Sequence, residues 1–216
     1  ALESDPIIQH VVADAEAAQE PAAPIHPQPK PKREQITFEP LYPEIPREQR
    51  TNFHITDPEL GYGTASEKYA ANVSAIRMLK RIENEGRLAT PVEQEILSRY
   101  VGWGGLADCF DEKHSKYQEL KALLSEEEYA AARASSLTAF YTSPVIIQAM
   151  YQALEQMGFR EGNILEPSCG VGNFIGMIPE SMSGSHAYGV ELDSISGRIA
   201  QQLYQNSSIA VTGFEK

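Results

Sequence analysis

Residues 163–176 read NILEPSCGVGNFIG, and the reading of this stretch decides the fold. A short apolar run, Ile164 and Leu165, ends on an acid, Glu166, and gives way to a turn carrying Gly170 and Gly172. Phe174 and Ile175 follow, so the order is strand, glycine loop, short helix. A glycine turn placed there points backbone N–H groups at a ligand and, having no Cβ, lets the ligand approach the main chain.

Working outward, SPVIIQAMYQALEQMGF (143–159) predicts a helix with Pro144 in its first turn and Thr142 or Ser143 as its cap. Met150, Tyr151, Leu154 and Met157 are taken as its core-facing positions. Downstream, HAYGVELD (186–193) predicts a second strand, SISGRIAQQLYQ (194–205) a helix with Asp193 as its N-cap, and IAVTGF (209–214) a third strand. His186 falls on the loop before the second strand. Strands alternating with helices over short connections imply a parallel sheet joined by right-handed crossovers, an α/β fold.

The segment before this is helical. Tyr69, Val73, Ile76, Leu79 and Ile82 share one face, with Gly86 as the stop. Thr90 and Glu93 form a capping box around Pro91, and the helix they start is expected to end near Gly102. A further helix lies in DEKHSKYQELKALL (111–124), and Ser125 with Glu128 caps the next. The organisation expected is an arm over 1–60, a helical subdomain over 61–137, and the first half of a ligand-binding α/β domain over 138–216. Ten of the fourteen prolines, eleven acidic and five basic residues fall in the first 60 positions. Such a composition gains too little apolar burial to offset its ordering, so it reads as an extended tether. Opening on Ala1 in tether-like sequence, the chain reads as a piece of something longer.

The net charge is −12, and no third of the chain is basic. A protein that grips nucleic acid unaided usually shows a basic face, so most of any such grip must come from elsewhere. Cys109 and Cys169 are the only cysteines and have no histidine cluster beside them, which supports neither a zinc site nor a disulfide framework. No run approaches the ~18 apolar residues of a membrane span, and no signal pattern opens the chain, so a cytoplasmic protein with no membrane partner is expected.

The glycine loop fails the nicotinamide fingerprint G-x-G-x-x-G, because Ile stands at position 175. What it has is an acid at the strand end, three residues, then Gly-x-Gly. A carboxylate there repels pyrophosphate and suits a cofactor whose near end is a cationic amino acid, as in S-adenosylmethionine (SAM). Nineteen residues beyond Gly172, Glu191 closes the second strand, where an acid can accept hydrogen bonds from both ribose hydroxyls. Leu192 then covers one face of the adenine and Phe214 the other, with Gly213 leaving room.

LTAFYTSPVIIQAMYQAL, ILEPSCGVGNF and AYGVELD resemble motifs X, I and II of the gamma-class N6-adenine DNA methyltransferases. NVSAIRMLK, YVGWGGL and VTGFE are similar to segments of the methylase and helicase fusion proteins of conjugative bacterial elements. The resemblance runs from about residue 52 to the end. It implies a partial SAM-dependent methyltransferase (Rossmann-like) sheet, with Tyr141 and Thr142 at the methionine end of SAM. It also implies a loop of Glu166, Pro167, Ser168, Gly170 and Gly172, with Glu191, Leu192 and Phe214 around the ribose and adenine. The partner implied is DNA, reached through the parent protein. Gly213 stands where many relatives carry an aspartate, and Glu215 is a nearby substitute.

The catalytic Asn/Asp-Pro-Pro-aromatic segment of that family, which holds the flipped base, occurs nowhere in the 216 residues. No catalytic residue is therefore assigned, and the chain is expected to bind cofactor without transferring methyl groups. Other readings are a non-catalytic docking module and a methyltransferase acting on RNA or protein. The first strand is expected to present an apolar edge, hidden by a homodimer or by the arm. Trp103 reads as an anchor of the helical subdomain rather than a base-stacking residue. GYG (61–63) reads as a hinge.

Overall fold

The computed structural model describes residues 35–215. The first 34 residues of the expected arm lie outside the described residues. The helices are α1 (Ala65–Asn84), α2 (Pro91–Leu97), α3 (Tyr117–Leu123), α4 (Glu126–Ser135), α5 (Pro144–Gln156), α6 (Asn173–Gly176) and α7 (Ser194–Leu203). The strands are β1 (Asn163–Glu166), β2 (His186–Glu191) and β3 (Ser208–Val211). They form one parallel sheet in the order β1-β2-β3, with Leu165 opposite Tyr188 and Glu191 opposite Val211. The protein is thus an α/β fold with a helical layer ahead of the sheet.

Local chemistry accounts for the helix starts. Thr64, Thr90 and Ser125 each accept from the backbone N–H three residues on, and Glu67, Glu93 and Glu128 return the bond, giving three complete capping boxes. Gly86 stops α1 in a left-handed conformation at φ +62°. Residues Tyr69, Val73, Ile76, Leu79 and Ile82 are all buried, as their spacing predicts. Helix α2 is shorter than expected, ending at Leu97 rather than near Gly102. The reason lies thirty residues upstream: buried Asn72 accepts from the Val101 N–H at 2.9 Å and donates to the Gly102 carbonyl at 2.6 Å. That amide takes the place of helical partners and holds the chain out of the helix.

One core joins the helical layer to one face of the sheet, running from Ile76, Leu79 and Trp103 through Ile195, Ile199 and Leu203 to Ile209. Trp103 packs edge-on to Phe110 and Tyr100 inside it, so the anchoring reading holds and the residue is not free to stack on a base. The opposite face is covered by α5 through Ile147 and Tyr151, which meet Met182, Ile164 and Phe174. Here the expected inward face of α5 needs correction. Pro144, Ile147 and Tyr151 point inward, while Met150, Leu154 and Met157 face solvent, Met157 at 82% exposure. Outside the stripe of Gln148, Gln152, Glu155 and Gln156 this helix is apolar, and of its apolar positions 144, 147 and 151 are the buried ones.

Among the described residues β1 pairs with β2 alone, and Leu165 is half exposed. His186 is the first residue of β2 rather than a loop residue, with Nε2 3.0 Å from Ser208 Oγ across the sheet. Part of the expected tether is fixed to the body. Phe53 N–H donates to Leu203 O at 2.8 Å and Ile55 N–H to Gly176 O at 2.9 Å. Buried Gln94 and Gln205 hold Thr51 by its carbonyl and its N–H.

Candidate functional site

The carboxyl ends of β1 and β2 face a cavity of about 230 Å3, the place where open parallel sheets bind ligands. Its floor is the glycine loop. The Cys169 N–H donates to Val190 O at 3.0 Å and the Gly172 N–H to Cys169 O at 2.7 Å, which pins the turn against β2. Gly170 (φ +55°) and Gly172 (φ +84°) are both left-handed, a conformation that costs other residues energy. The bare face of each glycine meets a tyrosine ring. A Cβ on Gly170 would stand 2.9 Å from Tyr141, and one on Gly172 would collide with Tyr204.

Glu191 closes β2 and sits 9% exposed. Its carboxylate accepts from the Gly170 N–H at 2.7 Å and from the Asp193 N–H at 2.8 Å, so it clamps the glycine loop to the start of α7. Burial pushes its carboxyl above the ordinary value, and the two N–H groups only partly offset this. Glu166, at the end of β1, is likewise pushed up by burial, and the Ser168 backbone N–H pulls it partly back. Asp193 caps α7 by accepting from Ser196 N–H at 3.0 Å, and its Oδ2 also takes the Ser196 hydroxyl.

Tyr141 Oη lies 2.8 Å from Ser196 Oγ, which extends this chain of hydroxyls to the segment before α5. Burial raises the Tyr141 and Tyr100 phenols well above the ordinary range, so both stay protonated. Tyr100 Oη is buried beside the same group and completes no hydrogen bond among the described residues. Cys169 is pushed up to about 12 by burial, which leaves its thiol inert at neutral pH.

The cavity is thus lined by three carboxylates, Glu166, Glu191 and Asp193, with no Lys, Arg or His among the described residues around it. Such a site attracts a cationic or hydroxyl-rich ligand and repels a phosphate. Among the described residues no group of His, Cys, Asp and Glu has the arrangement to hold a metal ion. No described helix is long and apolar enough to cross a membrane.

Of the residues singled out from sequence, Tyr141, Thr142, Glu166, Ser168, Gly170 and Glu191 line this cavity together. Gly172 supports the loop from behind, against Tyr204. Pro167 is exposed on the loop and does not line the cavity. Leu192 (74% exposed) and Phe214 (53% exposed) also stand outside it, so no adenine sandwich is formed between them. Sequence reading missed Asp193 and Ser196 as cavity residues, although their place just past Glu191 at a helix start was a usable signal. It also missed Tyr100 and Gly102, which arrive from the helical layer forty residues ahead of Tyr141, and no local pattern announces that.

No family model matches the chain, and no solved structure matches it. It is similar to the defense against restriction protein B of Escherichia phage P1, at 27% identity over 146 residues. The matched stretch is 68% of this chain but 5% of the phage protein, so the chain spans about one twentieth of that relative's length.

Proposed function

We propose that residues 138–215 form the SAM-binding part of a Rossmann-like DNA adenine-N6 methyltransferase belonging to a mobile genetic element. The observation that carries the reading is the cavity at the strand ends, whose charged lining residues are all acidic and in which buried Glu191 has backbone partners but no counter-charge among the described residues. A buried carboxylate without a cation favours a ligand that brings donors or positive charge. SAM brings both, and when bound it supplies a methyl group activated on a sulfonium.

The residues fit that cofactor in part. In this reading Glu166 takes the ammonium end, on a lining it shares with Thr142 and Ser168. Glu191 keeps lone pairs for the ribose hydroxyls while it clamps the glycine loop to the start of α7. Tyr141 walls the site and holds Ser196 and Asp193 in place. The adenine side is less complete, since Leu192 and Phe214 are turned outward. Similarity to a phage protein named for defense against restriction agrees with a mobile-element setting. Methyl transfer itself is proposed for the whole protein, because the Asn/Asp-Pro-Pro-aromatic segment is absent from these 216 residues.

Calorimetric titration of the chain with SAM and with its demethylated product tests the reading. Saturable binding is expected, weakened at least about tenfold by Glu191→Ala, the loss of one charged hydrogen-bonding group. Binding that the substitution leaves intact, or none by either ligand, would overturn it and favour a non-catalytic docking module.

A further inference from the structure

A second cavity of about 220 Å3 adjoins the first. The two share a wall made by Tyr100, Asn173 and the strap Ala139–Thr142, so ligands in them would be neighbours across Tyr141. Their chemistry differs. The charged residues lining the first are all carboxylates, whereas the second has Lys68 in its lining and no acidic residue there among those described.

Lys68 is half-buried on α1 and takes part in none of the ion pairs among the described residues. Four cations of the helical layer are paired, Arg77 with Glu119, Lys80 with Glu128, and Arg81 and Arg87 with Glu93, and Lys116 and Lys121 lie over the rings of Tyr69 and Tyr129. A lysine lining a cavity that has no carboxylate among the described lining residues is suited to an anion.

Two large aromatic side chains stand at the same cavity with most of their surface in solvent, Tyr62 at 64% and Phe140 at 69% exposure. Each is displayed by backbone that glycine makes accessible. Tyr62 sits between Gly61 (φ +86°) and Gly63 (φ +143°). The Phe140 segment runs so close over Gly104 that a Cβ there would strike the Ala139 carbonyl. Two aromatics left outside the core beside a lysine with no acid in the same described lining offer stacking surface for an unpaired base and a charge for its phosphate.

We propose that this second cavity is a site for one unpaired nucleotide of a single-stranded nucleic acid, with Tyr62 and Phe140 stacking on its base and Lys68 on its phosphate. The chain then touches nucleic acid directly, despite its net charge of −12. Its role as the acceptor side of a methyl donor in the first cavity rests on the reading given under Proposed function. The nucleotide site does not.

Fluorescence anisotropy of the 216-residue chain with short labelled single-stranded DNA and RNA of one sequence, and with the DNA duplex, tests this. Saturable binding to a single strand over duplex is expected, with a salt slope of about −0.7 for one neutralised phosphate. Tyr62→Ala and Phe140→Ala should each weaken it about tenfold. Lys68→Glu should abolish it and Lys68→Arg retain it. The DNA and RNA arms tell which sugar is preferred, and preference for either supports the site. Absence of saturable binding, equal binding to duplex, or binding indifferent to Tyr62→Ala and Lys68→Glu would overturn the proposal. Titrating the unsubstituted chain with SAM alone separates the two readings: SAM without oligonucleotide binding sinks only this one, and oligonucleotide without SAM binding sinks only the other.

Discussion

The ring of Tyr141 rests on the Cα face of Gly170, with its hydroxyl 2.8 Å from Ser196 Oγ. The strap before α5 and the glycine loop after β1 are therefore fitted to each other. Alanine at 170 would meet both the left-handed backbone, worth about 1–2 kcal/mol, and the tyrosine ring. Gly170→Ala is expected to lower stability by about that amount in urea denaturation and to remove SAM binding in calorimetry. A variant with unchanged midpoint and unchanged SAM affinity would show that the contact is incidental.

Asn72 supplies the only polar contacts that hold Val101 and Gly102 out of α2 among the described residues. Asn72→Ala strands a buried N–H and a buried carbonyl, for a loss of about 2–4 kcal/mol. Asn72→Asp should be nearly as damaging, since a carboxylate cannot donate to the Gly102 carbonyl. Denaturation midpoints of the two variants check this.

The corrected face of α5 gives a paired test. Ile147→Ala should cost about 2–4 kcal/mol through the cavity it leaves, whereas Met157→Gln should change stability by no more than about 0.5 kcal/mol. Equal effects at the two positions would return the helix to the orientation expected from its sequence.

Two buried acids act on the pH profile in opposite senses. Hydrogen bonds from Arg87, then those of Thr90 and Arg81 against the opposing effect of burial, hold the Glu93 carboxyl well below its ordinary 4.5. Its contribution is present above pH 4.5 and is lost as pH falls through the depressed folded value. Burial holds Glu191 above 4.5. Between those two values the folded state keeps a proton the unfolded chain has released, so stability declines as pH rises through the window just above 4.5. Glu191→Gln should flatten the profile in that window and Glu93→Gln below it, as read by denaturation across acidic pH.

Much of the fold was legible because its signals are local. Thr90-Pro91-Glu93 and Ser125-Glu128 state helix starts in four residues, and the glycine loop states a strand-to-helix turn in seven. What escaped depends on partners distant in sequence. The end of α2 is set by Asn72, and the exit of residues 50–55 from the tether is set by Gln94 and Gln205. The turn of α5 was ambiguous because Val145, Ile146, Ile147, Met150, Tyr151, Leu154 and Met157 leave apolar groups around most of its circumference. In the site, residues at strand ends were found because topology puts them there. Leu192 and Phe214 follow strand ends too, but a residue beyond the last ladder bond is free to turn either way.

Arg198, five residues after the cap Asp193, reaches Glu83 of α1 and Glu128 of α4 at once. The first turn of the same helix carries Asp193 and Ser196 into the acidic cavity. At about 1.5 Å of rise per residue, Arg198 and Ser196 ride on the same turn of α7. α7 therefore ties the two together: a shift of the helical layer that carried Arg198 would carry Asp193 and Ser196 with it, and a ligand that moved those two groups would pull on the Arg198 pairs with α1 and α4.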